Sequence, residues 1–311
     1  MIKLNNFSIF TLFLTIAIVF QIILGAIVRI TESGLACPDW PLCYGLWFPT
    51  AEKIQLIENI NFSYIQIMLE WIHRVNAAVI VGPLTIILLF KSLFQNSYKK
   101  FRVFTIVIFC VVILQSLIGG FTVFDKNSAW SVALHLSLAL ILLFLSTNMF
   151  LKSTKLEINF YNTYSKKELT ILIISILFVF LTMLLGAIVS KSGASLACAN
   201  WPLCNEKLLP SNTGYLEVVH MLHRIFAIFS VFLIIYFSFI HQFSINNIFI
   251  KIIYILPILL IIMQTLLGAL VIYTSVTFMA AILHQFTAVI LFLILSILIS
   301  LNLYTINQQK I

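Results

Sequence analysis

Residues 24–43 read LGAIVRITESGLACPDWPLC, and residues 185–204 read LGAIVSKSGASLACANWPLC. Aligned without gaps, twelve of the twenty positions are identical. The correspondence continues downstream. Glu70-Trp71-Ile72-His73-Arg74 pairs with His220-Met221-Leu222-His223-Arg224, the run from Gln115 to Gly120 with that from Gln264 to Ala269, and Leu134-His135 with Leu283-His284. The offset falls from 161 to 149, about half of the 311 residues, so the chain is a tandem repeat of one unit.

What surrounds each copy fixes the kind of unit. The chain is 62% hydrophobic and 9% charged, with mean hydropathy +1.11. A water-soluble core has no room for that much apolar surface, so lipid must be part of the solvent. Apolar runs long enough to cross a bilayer fall at about 9–29, 66–90, 103–124, 130–150, 170–190, 216–240, 251–273 and 279–301. Helices are predicted throughout, because open strands leave backbone groups unpaired in lipid. The first run is too long for a signal peptide, and the Leu-Ala-Cys that follows it recurs at 196–198 as part of the repeat.

Four spans per copy return the chain to its starting side, so both copies share one orientation. With cytoplasmic termini, eleven of the eighteen Lys and Arg lie on inner segments and four in outer loops. That asymmetry orients the chain, and it accounts for the +8 net charge without nucleic acid as a partner. The expected fold is therefore all-α integral membrane, with eight transmembrane helices as two tandem, pseudo-symmetric four-helix bundles. Residues 1–151 form the N-terminal bundle, 152–168 a Lys-rich cytoplasmic linker and 169–311 the C-terminal bundle. The expected location is the cell membrane, multi-pass, in contact with membrane lipid.

Four of the six histidines hold equivalent places, because His73, His135, His223 and His284 each begin an even-numbered span on the outer side. An imidazole at that depth is costly and usually marks function. Each has alanine one helical turn on, at Ala77, Ala139, Ala227 and Ala288, which leaves room for a flat macrocycle on the ligand's face of the helix. His220 and His241 lack that alanine. Gly25, Gly119, Gly120, Gly186 and Gly268 lie near the outer ends of the odd spans, where close approach needs no side chain. Two imidazoles per bundle fit bis-His haem better than zinc, which takes three or four ligands. Arg74 and Arg224 follow a ligand histidine directly. Two readings stand for them: salt bonds to haem propionates, or snorkelling to the headgroups.

Cys37 with Cys43, and Cys198 with Cys204, lie six apart in outward loops, where thiols pair as disulfides. Such small rings serve as structural staples or as redox-active bonds. Cys110, inside an apolar run, reads as packing. The repeat is broken at Glu70, which faces His220 in the other copy. A carboxylate beside a haem edge can take a proton during oxidation of the ring periphery, and it also suits a helix start electrostatically.

Together, Glu70-x-x-His73-Arg74, His135, His223-Arg224, His284, the repeated LGA-x-V helix ends and the two C-x-x-W-P-L-C loops resemble the haem A synthase family of bacterial and mitochondrial membranes, in its bacterial type with cysteine pairs in both outer loops. The resemblance covers nearly the whole chain. It implies oxidation of a methyl group of haem O to the formyl group of haem A by successive hydroxylations. It implies that His73 and His135 flank the substrate haem, with Glu70 as the catalytic residue near the reacting methyl. His223 and His284 would then ligate a resident haem b as electron-transfer cofactor, with His220 a second candidate ligand one turn away. The implied partners are haem O synthase, which is a farnesyltransferase, and an electron donor or acceptor of unassigned identity. The rival reading is a two-haem membrane cytochrome exchanging electrons with quinone, which explains four histidines but not Glu70.

Overall fold

The computed structural model describes residues 2–156, 166–204, 206–207, 214–242 and 248–308. The middle of the predicted linker, part of the second outer loop and Lys310 lie outside the described residues.

Among the described residues, eight helices are long and apolar enough to cross a membrane. They are α1 (Asn6–Ile30), α2 (Tyr64–Phe94), α3 (Arg102–Phe124), α4 (Ala129–Ser153), α5 (Lys166–Lys191), α6 (Tyr215–Gln242), α7 (Ile248–Tyr273) and α8 (Phe278–Gln308). Each overlaps one apolar run of the sequence and extends it at its polar ends. The extensions follow from capping. Asn5 accepts from the Ser8 amide through its side chain, and its own amide donates to the Ser8 hydroxyl at the start of α1; Ser63 with Gln66 forms the same box at the start of α2. A two-residue antiparallel pairing of Ile2–Lys3 with Lys155–Leu156 ties the start of the chain to the exit of α4.

Each set of four closes on itself. In the first half α1 packs on α2, α2 on α3, α3 on α4 and α4 on α1. In the second, α5, α6, α7 and α8 repeat that ring. The halves meet along α1, α4, α5 and α8, whose apolar side chains, among them Leu14, Leu140, Leu143, Leu172, Leu295 and Leu298, form one buried core. Accordingly 67% of the apolar window of α8 is buried and only 17% of that leading into α3, so α8 is central and α3 faces lipid. Lipid gives no hydrophobic drive between helices, so small polar contacts help to fix the packing. Asn148 donates to the Ser300 hydroxyl at 3.0 Å across the α4–α8 seam, and Ser92 meets Thr105 at 2.6 Å between α2 and α3.

One helix departs from α geometry. In α2, residues Asn76–Val81 form a π segment, where the Gly82 amide donates to the Ala77 carbonyl. Pro83 follows and lacks an amide proton, so the ordinary bond one turn back is missing and the helix absorbs an extra residue. Its counterpart α6 has Leu233 at that place and is α-helical throughout.

Both outer loops carry a disulfide, Cys37–Cys43 and Cys198–Cys204, and Cys110 is an exposed free thiol on α3. Labelling the denatured, unreduced protein with a thiol reagent therefore modifies Cys110 alone, and prior reduction adds four more sites. Five reactive thiols without reductant would remove both bonds.

Candidate functional site: two imidazole-lined cavities

A cavity of about 530 Å³ opens inside the first ring and one of about 220 Å³ inside the second. His73 and His135 line the first, and His223, His284 and His220 line the second. The four alanines one turn on all line the cavity of their own histidine.

Each of the four histidines lies with its ring edge on one glycine of the neighbouring helix. A Cβ added at Gly25 would sit 3.1 Å from Cε1 of His73, and one at Gly119 2.9 Å from Cε1 of His135. For Gly186 and His223 the separation is 3.0 Å, and for Gly268 and His284 3.1 Å. Those glycines let helix and imidazole approach more closely than a Cβ ordinarily permits, most tightly at Gly119. Gly120, the fifth glycine of the sequence pattern, instead faces the indole of Trp40, 3.1 Å from its would-be Cβ.

The ring nitrogens divide the two pairs. His223 Nδ1 lies 2.9 Å from the Thr182 carbonyl, and His284 Nδ1 lies 3.1 Å from the Gln264 carbonyl. A carbonyl can only accept, so both rings carry their proton on Nδ1 and keep a bare Nε2. The Gln264 amide nitrogen, 3.3 Å from Nε2 of His284, fits that lone pair. In the first half His135 Nδ1 is buried without a partner. His73 is crossed by the Gln21 amide nitrogen, 3.2 Å from Nδ1 and 3.4 Å from Nε2, and the Asn76 amide in turn donates to Gln21 Oε1 at 2.6 Å. The second pair is thus locked in one tautomer by main chain, and the first is not.

Glu70 is buried and lines the first cavity, one turn before His73. Its Oε1 accepts from Arg74 Nε at 2.9 Å, and Arg74 is its only hydrogen-bond partner among the described residues. At the matching place His220 Nδ1 lies 2.9 Å from the Ala194 carbonyl, held against the second outer loop. Among the described residues no group of three or more His, Cys, Asp or Glu is placed to hold a metal ion.

The COX15-CtaA family, described as cytochrome oxidase assembly protein, matches residues 8–296. This chain belongs to that family. Among curated proteins it is similar to the heme A synthase of Macrococcus caseolyticus, 30% identical over 94% of this chain and 95% of that one. It is 29% identical to the heme A synthase of Geobacillus thermodenitrificans, over 94% of this chain and 90% of the relative. It is also 29% identical to that of Staphylococcus saprophyticus, over 99% of both.

In this COX15-CtaA chain the two arginines following the histidines donate to carbonyls of the cysteine loops. Arg74 donates through Nη1 to the carbonyls of Asp39 and Leu42 and through Nη2 to that of Cys37. Arg224 donates through Nη1 to Asn200, Pro202 and Leu203 and through Nη2 to Cys198. Cys37, Asp39 and Leu42 align with Cys198, Asn200 and Leu203, so one clamp is built twice. The physical reason is that a tight disulfide loop turns several carbonyls inward at a depth where water is scarce, and a planar guanidinium answers them all. The clamped loops roof the cavities: Trp40, Pro41 and Trp47 line the first, Trp201 and Pro202 the second.

Beyond the residues that the motifs mark, the site takes the Trp-Pro pairs as its roof and Gln21 and Asn76 as neighbours of His73. The signal was present: the repeat places Thr182 and Phe226 opposite them. Arg74→Gln leaves three loop carbonyls without a charged donor, each such bond contributing about 1.5–3 kcal/mol. Amide hydrogen exchange across residues 37–46 then speeds up about tenfold or more, read by mass spectrometry. Arg224→Gln does the same for 198–204. Unchanged exchange in both variants would show that the clamps do not hold the loops.

Proposed function

We propose that this protein is a haem A synthase: an oxidoreductase that converts the methyl group of haem O to the formyl group of haem A. The second cavity holds a permanent haem b and the first receives the substrate. The carrying observation is the contrast between the cavities. In the smaller, carbonyls hold both imidazoles through Nδ1, which leaves Nε2 unprotonated as an iron ligand needs, and fixed ligands suit a group that stays. In the larger, the imidazoles lack carbonyl partners and sit among Gln21, Asn76 and Glu70, which suits a macrocycle that must enter, react and leave.

Haem fits what each cavity offers. Two imidazoles face one space, the glycines bring them close to the neighbouring helix, and the alanines clear the turn beside each ligand. When bound, haem supplies the redox chemistry at iron. The chain's own part in the first cavity is positioning and proton handling. His73 and His135 hold the macrocycle, and the Trp40 roof excludes water. Glu70, one oxygen bonded to Arg74, can accept a proton with the other as the methyl carbon is oxidised. His220, held to the Ala194 carbonyl, is assigned a structural role in place of a third ligand.

The resemblance carries the rest of the reading: haem O synthase as the source of substrate, an electron partner outside the chain, and cytoplasmic termini from the distribution of Lys and Arg. Pigment extraction discriminates against a plain two-haem cytochrome. A synthase yields haem b together with haem O, haem A or a hydroxylated intermediate, whereas a cytochrome yields its resident haem alone.

Two substitutions test the assignments within the site. His284→Ala abolishes the low-spin bis-His spectrum of the purified protein, and a retained spectrum would move the ligand to His220. Glu70→Gln keeps shape and reach but cannot ionise. Haem b remains at wild-type level while haem A formed in cells supplied with haem O falls at least about tenfold. Near-normal haem A from this variant at ordinary protein level would end the catalytic role of Glu70.

A further inference from the structure

Two cations border the first cavity from the seam between the halves. Arg29, at the outer end of α1, lines it from its own half, and Lys191, at the outer end of α5, lines it from the other. Gln285, next to His284 on α8, lines it too and accepts from Arg29 Nη2 through Oε1. Arg29 Nε is buried with no hydrogen-bond partner, and among the described residues no carboxylate lies within ion-pair distance of this guanidinium. An arginine at membrane depth whose side-chain hydrogen bond goes to a neutral amide is an unbalanced charge, and low dielectric makes that costly unless an anion joins it.

The repeat shows that this arrangement is not duplicated: Arg29 and Gln285 border the second cavity as well, but Lys191 borders the first alone. The residues equivalent to Arg29 and Lys191 are Ser190 and Ile30, and both line the second cavity, where they offer no charge. Leu136 stands where the other copy has Gln285. All three departures from the repeat fall on the wall of the larger cavity. Arg74 does not fill the role, since its guanidinium is bonded to Glu70 and three loop carbonyls.

We propose that Arg29 and Lys191 form the carboxylate anchor of the first cavity. They receive the acidic side chains of the tetrapyrrole that binds there and thereby set which edge of the ring faces Glu70. The inference rests on the proposed substrate role of that cavity. Arg29 makes the stronger contact, because a guanidinium grips a carboxylate through two parallel bonds while an ammonium acts as a point charge. Gln285 is the neutral placeholder that Arg29 exchanges for the incoming carboxylate.

The test needs no turnover. Protein purified with its resident haem is titrated with a second equivalent of haem b or of haem b dimethyl ester, whose carboxylates are masked, and binding is followed by absorbance. Wild type takes the free acid at least about tenfold more tightly than the ester. Arg29→Gln brings that ratio close to one by weakening the acid alone. Lys191→Gln lowers it in part, and Arg29→Lys keeps most of it. The His73→Ala variant loses the second equivalent, which assigns the titration to the first cavity. An undiminished preference for the acid in Arg29→Gln, or equal weakening of acid and ester, would overturn the anchor while leaving the haem site itself intact. Failure of wild type to take up any second equivalent would overturn the substrate cavity and the anchor with it.

Discussion

An imidazole inside a bilayer has two ring nitrogens and no water to satisfy them. Most of the local architecture around the cavities answers that constraint. A carbonyl of α5 receives Nδ1 of His223, and one on α7 receives Nδ1 of His284. Glycines at the facing positions let the rings reach those carbonyls at all. The arginines solve the reverse problem for the outer loops, where inward carbonyls need donors and the guanidinium supplies several from one side chain. The cavities are therefore bounded largely by hydrogen-bonded groups, with buried unpartnered atoms at Arg29, Gln115 and His135 in the first half and at Arg224 and Gln264 in the second.

Duplication supplies two equal bundles, and equal bundles would do equal work. The chain departs from equality at Gln21, Arg29, Glu70, Asn76 and Pro83, which face Thr182, Ser190, His220, Phe226 and Leu233 in the other copy. Arg29 borders both cavities, and the other four of the five changes act around the first. Pro83 introduces the π segment beside it, Gln21 and Asn76 replace a carbonyl as the neighbour of His73, Glu70 adds an acid and Arg29 a cation. The second copy keeps the quieter version of the site.

The spans, their order and the tandem repeat were legible in the sequence because lipid enforces long apolar runs and the duplicated motifs survive side by side. The histidine layer and its glycines were legible for the same reason, as recurring small residues at fixed spacing. What Arg74 and Arg224 touch was not. An arginine after a histidine looks alike whether it meets a propionate, a headgroup or a loop carbonyl, and only the fold of the disulfide loop decides. The seam was also hidden, because Arg29, Lys191 and Gln285 are far apart in the chain and meet only when α1, α5 and α8 pack together. Gln21 and Asn76 differ from Thr182 and Phe226 in the other copy, a break in the repeat of the same kind as Glu70 against His220.

Arg29 and Gln285 line both cavities. Two compartments with a common wall residue are linked thermodynamically: any occupant of one that changes the state of the shared pair changes the affinity of the other, and the effect is reciprocal by the same factor. The bundles are then a coupled pair of vessels rather than two independent containers, with the degree of filling of each readable at the other.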